Sequence, residues 1–277
     1  MAQQRSPSFH HRLLQTLGRA CCGMKGIDLV LRLAHCPDRR SAWYLEGQSA
    51  TIWSGPTFEL ATNSFTEWTT FFYGSQDRPI HRWIKDRARP DWICVDAGMN
   101  FGFFTCLCAQ LCREVHGFEP VASLVARARR NCALNNLTNV VFNELALADT
   151  LGELQFNLPR EDSCNLGTGS LVHTGQGTIV TVHAATLDDY CERAQMRRLD
   201  FAKIDVEGAE HLVLRGAERA LRVFRPAIIF EWNADSFDEV RQILSRHRYR
   251  IHDLKGRPLD KSRCRADGLS NLLALPE

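Results

Sequence analysis

Five carboxylate side chains stand at the ends of apolar segments that have the composition of buried β-strands. They are Asp96, Glu119, Asp205, Glu207 and Glu231. Carboxylates accept hydrogen bonds from hydroxyl and ammonium groups and can take up a proton as general bases. Because ligands of open α/β sheets bind outside the carboxyl ends of the strands, we expect these acids to surround one site.

The first of these segments runs into a glycine turn, VDAGMNFGFFT at residues 95–105. Gly98 permits a backbone angle that a Cβ atom disfavours, and Gly102 lets the following helix approach the strand closely. We expect the turn to present backbone N–H groups to a ligand at the helix N-terminus. Asn100 and Phe103 occupy two glycine positions of the dinucleotide pattern G-x-G-x-x-G, which disfavours an NAD-dependent oxidoreductase. The turn instead suits a ligand that carries a carboxylate and an ammonium group.

Glu119 follows Asp96 by 23 residues, at the end of the next predicted strand. An acid at this position can accept two hydrogen bonds from a ribose diol, as it does in dinucleotide-binding folds. A cofactor with a ribose, an amino-acid tail and no pyrophosphate is S-adenosylmethionine. The turn and Glu119 together therefore predict an S-adenosylmethionine site.

The elements that must position these residues follow from hydrophobic periodicity. Strands alternate with helices, which predicts a parallel sheet covered on both faces. A hairpin is expected from GELQFNL and TIVTVHA, and short strands near 249–253 and 271–275 close the chain. The other predicted strands are Ile93–Asp96, Glu114–Glu119, Val140–Ala146, LDFAKIDVEG and PAIIFEW, and the predicted helices are Gly102–Cys112, Val121–Asn135, Ala209–Phe224 and Phe237–His247.

Lys203, Asp205 and Glu207 alternate along one predicted strand and should share a face. We interpret Asp205 as a base or substrate anchor that Glu207 orients. In the alternative, Glu207 caps the following helix and Lys203 pairs with Glu207. Glu231, on the neighbouring strand, should hydrogen-bond the substrate or the cofactor. The three acids could instead hold Mg²⁺, although we predict no metal site.

Five segments resemble the FkbM-type S-adenosylmethionine-dependent methyltransferases in order and spacing. They are VDAGMNFGFFT, VHGFEP, NELALAD, LDFAKIDVEGAEHLVLRGA and PAIIFEWN, and the resemblance covers about residues 65–275. It implies a three-layer Rossmann-like sheet of about seven strands, mostly parallel with a reversed last strand. It also implies methyl transfer to a small molecule, most often to a hydroxyl of a sugar or secondary metabolite.

The resemblance also implies roles for single residues. The methionine end of the cofactor would be held by Asp96, Gly98, Asn100 and Gly102, the ribose by Glu119, and the adenine would be flanked by Glu144–Ala146. Asp205 and Glu207 would border the transfer site. Methylation of an amine nitrogen and a non-catalytic cofactor-binding module stay open as alternatives.

Composition excludes several other classes of function. The formal net charge of +2 gives no reason to expect nucleic acid as a partner, and no apolar run is long enough to span a membrane. The eleven cysteines include no C-x-x-C pair, and several lie in apolar periodic segments, so we expect a reducing, cytoplasmic compartment. The sequence says nothing about the oligomeric state.

Four segments lie outside these motifs. Residues 1–64 are expected to form an N-terminal helical and aromatic extension, a candidate substrate cap, ahead of a catalytic domain at 65–277. Residues 1–27 contain four lysines or arginines and no acid, which indicates either a basic arm or a membrane-surface or transit helix. The aromatic residues of 53–73 could cover the cofactor or pack at the sheet edge. The loop 160–178 is a candidate lid, and RPIHRWIKDRARP is either a solvated helix face or an anion site.

Overall fold

The computed structural model describes residues 9–21, 45, 47–53, 55–61, 64–159, 169–171, 177–259 and 270–277. Most of the candidate lid, at 160–168 and 172–176, lies outside these residues. The helices are α1 Phe9–Cys21, α2 Phe65–Tyr73, α3 Arg78–Arg87, α4 Phe103–Leu111, α5 Ala122–Leu134, α6 Leu187–Arg193, α7 Glu210–Arg215, α8 Glu218–Val223 and α9 Phe237–Arg246. The strands are β1 Gln48–Thr51, β2 Thr57–Leu60, β3 Ile93–Ala97, β4 Glu114–Phe118, β5 Val140–Asn143, β6 Ala146–Leu147, β7 Gly152–Pro159, β8 Gly177–Ala185, β9 Phe201–Ile204, β10 Ala227–Glu231, β11 Tyr249–His252 and β12 Asn271–Pro276.

Seven strands form the central sheet, in the order β11-β12-β10-β9-β3-β4-β5. The last strand, β12, is antiparallel to both of its neighbours, and the other neighbouring pairs are parallel. This confirms the predicted α/β fold with a mostly parallel sheet and a reversed last strand. The hairpin prediction is also confirmed, because β7 and β8 pair antiparallel.

The two faces of the sheet are covered by different helices. Cys94 and Phe201 face a core built with α2, α3 and α4, whereas Val95 and Ile204 face a core built with α6 to α9. The alternation along β3 and β9 therefore separates two hydrophobic layers, as in other sheets with both faces covered. The same alternation turns Asp96 and Lys203, which are register partners, toward the α3–α4 face.

Two of the predicted elements differ from the structure. The predicted helix Ala209–Phe224 is divided into α7 and α8 at Gly216, where a Cβ atom would lie 2.0 Å from the Ala148 carbonyl oxygen. The predicted strand Val140–Ala146 ends at Asn143, and Ala146 starts β6 in a separate sheet with β8. Both differences arise from contacts with segments distant in sequence.

The N-terminal hairpin β1–β2 packs on α5. Asn131 joins the hairpin to the glycine turn, because its Oδ1 accepts from the Glu59 N–H (2.9 Å) and its Nδ2 donates to the Phe101 carbonyl (2.9 Å). Phe58 of the hairpin stacks on Phe103 with ring centroids 5.3 Å apart. Phe58 therefore supports the glycine turn from the side of the core.

Candidate functional site

The site lies at the carboxyl ends of β3, β4 and β9, where the glycine turn meets the chain after β9. It is a cleft with about 510 Å³ of empty space, including its open mouth. Four of the predicted residues line it, namely Gly98, Glu119, Ala146 and Asp205. The remaining walls are mostly apolar and include Phe118, Val121, Leu124, Leu145, Leu147, Phe156 and Leu171.

Gly98 allows two backbone segments to touch at the floor of the cleft. Its φ is +78°, and a Cβ atom there would lie 1.9 Å from the Asp205 carbonyl oxygen. The Asp205 N–H donates to the Ala97 carbonyl at 3.0 Å, so the turn and the β9 end are held in direct contact. Glycine is required here both for its backbone angle and for its missing side chain.

The backbone N–H groups of the turn bond within the protein, whereas we expected them to be presented to a ligand. Those of Gly98 and Met99 donate to the Phe118 carbonyl, and that of Gly102 donates to the Met99 carbonyl. The Asn100 N–H donates to Glu119 Oε2 (3.1 Å), and the Phe101 N–H donates to Asn100 Oδ1 (2.7 Å). All five groups are therefore used within the protein, and a ligand must be recognised here chiefly by side chains and by shape.

Gly102 allows a close contact with α5, which the sequence analysis did not predict. With φ at +89°, it lies against α5, where an added Cβ atom would come within 3.0 Å of the Ala128 Cβ. The glycine therefore allows the turn to approach α5, not only its own strand. Asn100 has φ at +51°, in the left-handed region where asparagine is tolerated better than most residues.

Glu119 is held rigidly at the wall of the cleft. It is 6% exposed, its Oε2 accepts from the Asn100 N–H, and its Oε1 accepts from the Val121 N–H at 3.1 Å. Burial raises the pKa of Glu119 to about 7, although the two backbone donors oppose this shift. Each carboxylate oxygen keeps further acceptor capacity, so Glu119 can receive two hydroxyl donors from the cleft.

Asp96 lies behind the cleft wall and is 2% exposed. Its Oδ2 accepts from the Thr105 hydroxyl at 2.6 Å, and its Oδ1 is buried without a hydrogen-bond partner. Burial raises the pKa of Asp96, and the nearby Lys203 opposes the shift. Thr105 was not among our predicted residues, although its place in the first turn of α4 directs it back toward β3.

Lys203 is the positive centre of this group of acids. It is 2% exposed, and its Nζ donates to Asp205 Oδ2 at 2.6 Å. Burial disfavours the charged amine, yet the surrounding Asp205, Asp96 and Asp77 raise the pKa of Lys203 above its ordinary value. The prediction that Lys203 and Asp205 share a face is confirmed, and the alternative pairing of Lys203 with Glu207 is wrong.

The turn after β9 places Glu207 off the strand. Glu207 has φ at +53°, and its carbonyl accepts from the Ser170 hydroxyl at 2.7 Å. The backbone N–H groups of Val206 and Gly208 donate to Glu210 Oε1 (3.1 and 3.2 Å), so Glu210, not Glu207, caps this turn. The expected alternation of Lys203, Asp205 and Glu207 therefore stops at Asp205.

Glu207 and Glu231 do not line the cleft but lie close enough to Asp205 to be affected by its charge. Burial, followed by the charge of Asp205, raises the pKa of Glu207 to about 7 and that of Glu231 to about 8. Each acid holds a proton more firmly than an exposed glutamate, so both could donate as well as accept hydrogen bonds near neutral pH.

Within the described ranges, no three histidine, cysteine or acidic residues are arranged to hold a metal ion.

Besides Thr105, two residues near the site were missed, and the predicted residue Glu144 does not line the cleft. Asp77 caps α3 by accepting from the Ile80 N–H (3.0 Å) and accepts from Asn271 Nδ2 (3.1 Å), and its charge acts on Lys203. Asp77 begins the α3 segment and could have been found as an N-cap before a proline. Ser170 lies in the β7–β8 connection, and its hydroxyl donates to the Glu207 carbonyl. Glu144 is exposed and is not among the residues that line the cleft.

A second, wider groove runs along the outer face of α3, beginning beside Asp77. It has about 1560 Å³ of empty space including open solvent. Arg78 lies over the Trp53 ring, with its Cζ 3.9 Å from the ring centroid. Five basic side chains and one acid line the groove, namely Arg78, Arg82, Lys85, Arg87, Lys255 and Asp86.

The family model described as the methyltransferase FkbM domain matches residues 96–251, more than half of the chain. Hexuronic acid methyltransferase AglP of Haloferax volcanii is 30% identical over 149 residues, which are 54% of this chain and 59% of the relative. The 2-O-methyltransferase NoeI of Sinorhizobium fredii is 28% identical over 158 residues, covering 51% of this chain and 64% of the relative. The match thus spans about three fifths of each curated relative.

Solved structures of similar shape include an FkbM methyltransferase from Methylobacillus flagellatus, with a TM-score of 0.46 and 19% identity, covering 68% of this chain and 44% of that one. An rRNA methylase from Streptococcus thermophilus has a TM-score of 0.43 and 16% identity, and covers 73% of this chain and 98% of that one.

No helix among the described residues has the length and apolar character needed to cross a membrane.

Proposed function

The chain belongs to the FkbM methyltransferase family, and we propose that it transfers the methyl group of S-adenosylmethionine to a hydroxyl group of a sugar. The observation that carries this proposal is the cleft formed by Gly98, Glu119, Ala146 and Asp205. It combines one carboxylate held by two backbone donors, an apolar wall, and an acid paired with a buried lysine. This set of groups fits an adenosine next to a transfer site.

The residues of the cleft fit the cofactor in the following way. Glu119 would accept the two ribose hydroxyls, since its carboxylate is already oriented by the Asn100 and Val121 N–H groups. Leu145, Ala146 and Leu147 would form the apolar wall against the adenine. When bound, S-adenosylmethionine supplies an activated methyl group on its sulfonium, so the protein has to position the acceptor rather than activate the donor.

Asp205 is the residue that we propose as the general base. Its side chain is 28% exposed and borders the cleft, and Lys203 Nζ donates to its Oδ2 at 2.6 Å. An ionised carboxylate at this position can accept the proton that the acceptor hydroxyl loses as its oxygen bonds to the methyl carbon. Glu207 and Glu231 would hold the acceptor through hydrogen bonds, with Glu231 as the substrate anchor.

Two observations favour an acidic sugar as the acceptor. The relative AglP is named for a hexuronic acid. The basic groove on α3 begins at Arg78, next to Asp77, and the charges of Lys203 and Asp205 act on Asp77, so the groove starts in the neighbourhood of the transfer end of the cleft. A uronate or a longer acidic glycan could place its carboxylates along this groove while one hydroxyl reaches Asp205.

The proposal is tested in two steps on the purified protein. Isothermal titration should show binding of S-adenosylhomocysteine and no binding of NAD, and Glu119→Ala should weaken that binding. Methyl-labelled S-adenosylmethionine is then incubated with methyl glucuronide, methyl glucoside and glucosamine. We expect label on a hydroxyl of the glucuronide. Label on the amino group of glucosamine would support the amine alternative, and cofactor binding without transfer to a broad set of extracts would support a non-catalytic module.

A further inference from the structure

The helix α1 is oriented opposite to the usual arrangement of a surface helix. A surface helix normally turns its apolar stripe to the core and its polar side to water. In α1, Phe9, Leu13 and Leu17 are 75%, 45% and 38% exposed, and they stand four residues apart on one face. A contiguous apolar stripe of this kind on a protein surface marks a contact with another molecule or with a lipid surface.

The polar side of α1 is turned inward and makes specific bonds to α2. Gln15 Nε2 donates to the Phe71 carbonyl at 3.1 Å, and Arg19 Nη2 donates to the same carbonyl at 3.4 Å. His11 is 4% exposed, and Leu14 packs against the core. The helix is thus fixed on the protein by the bonds of Gln15 and Arg19 and by the packing of Leu14, and this attachment sets the direction in which the stripe points.

The charges of the sequence that contains α1 favour one kind of partner. Residues 1–27 carry Arg5, Arg12, Arg19 and Lys25 and contain no aspartate or glutamate. A second copy of the chain that packed stripe to stripe about a two-fold axis would bring like charges together without acids to pair them. An anionic lipid surface offers apolar chains to the stripe and negative headgroups to Arg12, which is exposed.

The length of the helix fits attachment in the plane of the membrane. Thirteen residues of α-helix are about 20 Å long, whereas the hydrocarbon layer of a bilayer is about 30 Å thick. We propose that α1 attaches this protein to anionic membrane surfaces, with Phe9, Leu13 and Leu17 inserted among the lipid chains and Arg12 at the headgroups. The proposal is independent of the enzymatic function.

The experiment measures co-sedimentation of the full chain with lipid vesicles. Vesicles of phosphatidylcholine with about a third phosphatidylglycerol are compared with vesicles of pure phosphatidylcholine. We expect the chain to bind the anionic vesicles and to be released by salt. The double variant Phe9→Ser/Leu13→Ser should bind at least ~10-fold more weakly, because binding strength follows the apolar area that is buried.

Matched controls separate the stripe from general surface effects. Val223, at the end of α8, is 61% exposed, so Val223→Ser removes an exposed apolar side chain elsewhere and should leave binding unchanged. Arg12→Glu should weaken binding to anionic vesicles, whereas Arg130→Glu on the exposed side of α5 should not. Circular dichroism and thermal unfolding verify that each variant is folded.

Three results would overturn the proposal. The chain could fail to bind anionic vesicles at low salt. The double variant could bind as well as Val223→Ser. The chain could instead form oligomers in vesicle-free buffer that dissociate in the double variant, as measured by light scattering, which would identify the stripe as a self-association face.

Discussion

Replacing Gly98 with alanine should destabilise the protein far more than replacing Gly256 with alanine, although the two glycines have nearly the same backbone angle. Their φ values are +78° and +85°. Both substitutions therefore cost the same strain of about 1–2 kcal/mol for placing a side chain in the left-handed region. The space around the two positions is different, because an added Cβ at Gly256 has no atom within 4 Å.

At Gly98 the new Cβ atom would lie 1.9 Å from the Asp205 carbonyl oxygen, where ordinary contact begins near 3.4 Å. The two backbone segments must move apart by about 1.5 Å to remove this overlap. The Asp205–Ala97 hydrogen bond of 3.0 Å lies between them and would be stretched or lost, at about 1 kcal/mol. Overpacking of a buried site adds about 1–3 kcal/mol. Gly98→Ala should thus cost about 2–4 kcal/mol more than Gly256→Ala.

Urea denaturation followed by circular dichroism measures both variants against the parent chain. The same movement shifts the glycine turn away from Asp205, so Gly98→Ala should also weaken binding of S-adenosylhomocysteine, measured by titration, while Gly256→Ala should not. If the free energies of unfolding of the two variants agree within about 0.5 kcal/mol, the close backbone contact does not hold the cleft together and the reasoning is refuted.

Three further predictions concern the charged residues of the site. Lys203→Met removes the cation between Asp205 and Asp96 and should lower the free energy of unfolding by about 3 kcal/mol in urea denaturation, whereas Lys255→Met on the surface should change it little. Asp205→Asn should lower kcat by about 10²–10⁴-fold and leave the affinity for S-adenosylhomocysteine unchanged; equal kcat would exclude Asp205 as the base. Burial raises the pKa of Glu119 from 4.5 to about 7, so the folded protein holds a proton there that the unfolded chain releases, and the stability contributed by Glu119 falls as pH rises between these values. Ribose binding favours the ionised carboxylate, so titrations from about pH 6 to about pH 8 should show rising affinity in the parent chain and a flat profile in Glu119→Gln.

Several features of the site could be predicted because they follow from the geometry of parallel sheets. Gly98, Glu119 and Asp205 come from segments that are more than twenty residues apart, yet each follows a strand whose carboxyl end meets the same edge of the sheet.

Helix α6 was not predicted, although the sequence contains a signal for it. Thr186 caps the helix by accepting from the Asp189 N–H at 3.0 Å, and acids follow in the first turn.

Other features depended on contacts that periodicity does not contain. The break at Gly216 coincides with the close approach of the Ala148 carbonyl from another segment, and Gly102 also packs against Ala128 of α5. Glu207 left the face of Asp205 because the chain turns through a left-handed angle after Ile204. The outward direction of the α1 stripe was set by the bonds of Gln15 and Arg19 to α2.

The sequence by itself determined the order of strands and helices, the family, and which acids stand at strand ends, because these depend on local composition and short-range spacing. The tertiary structure decided which of those acids face the cleft, which backbone N–H groups are already used, and that Lys203 bonds to Asp205. These depend on close approaches between segments distant in the chain, such as Gly98 with Asp205, whose distances no local pattern encodes.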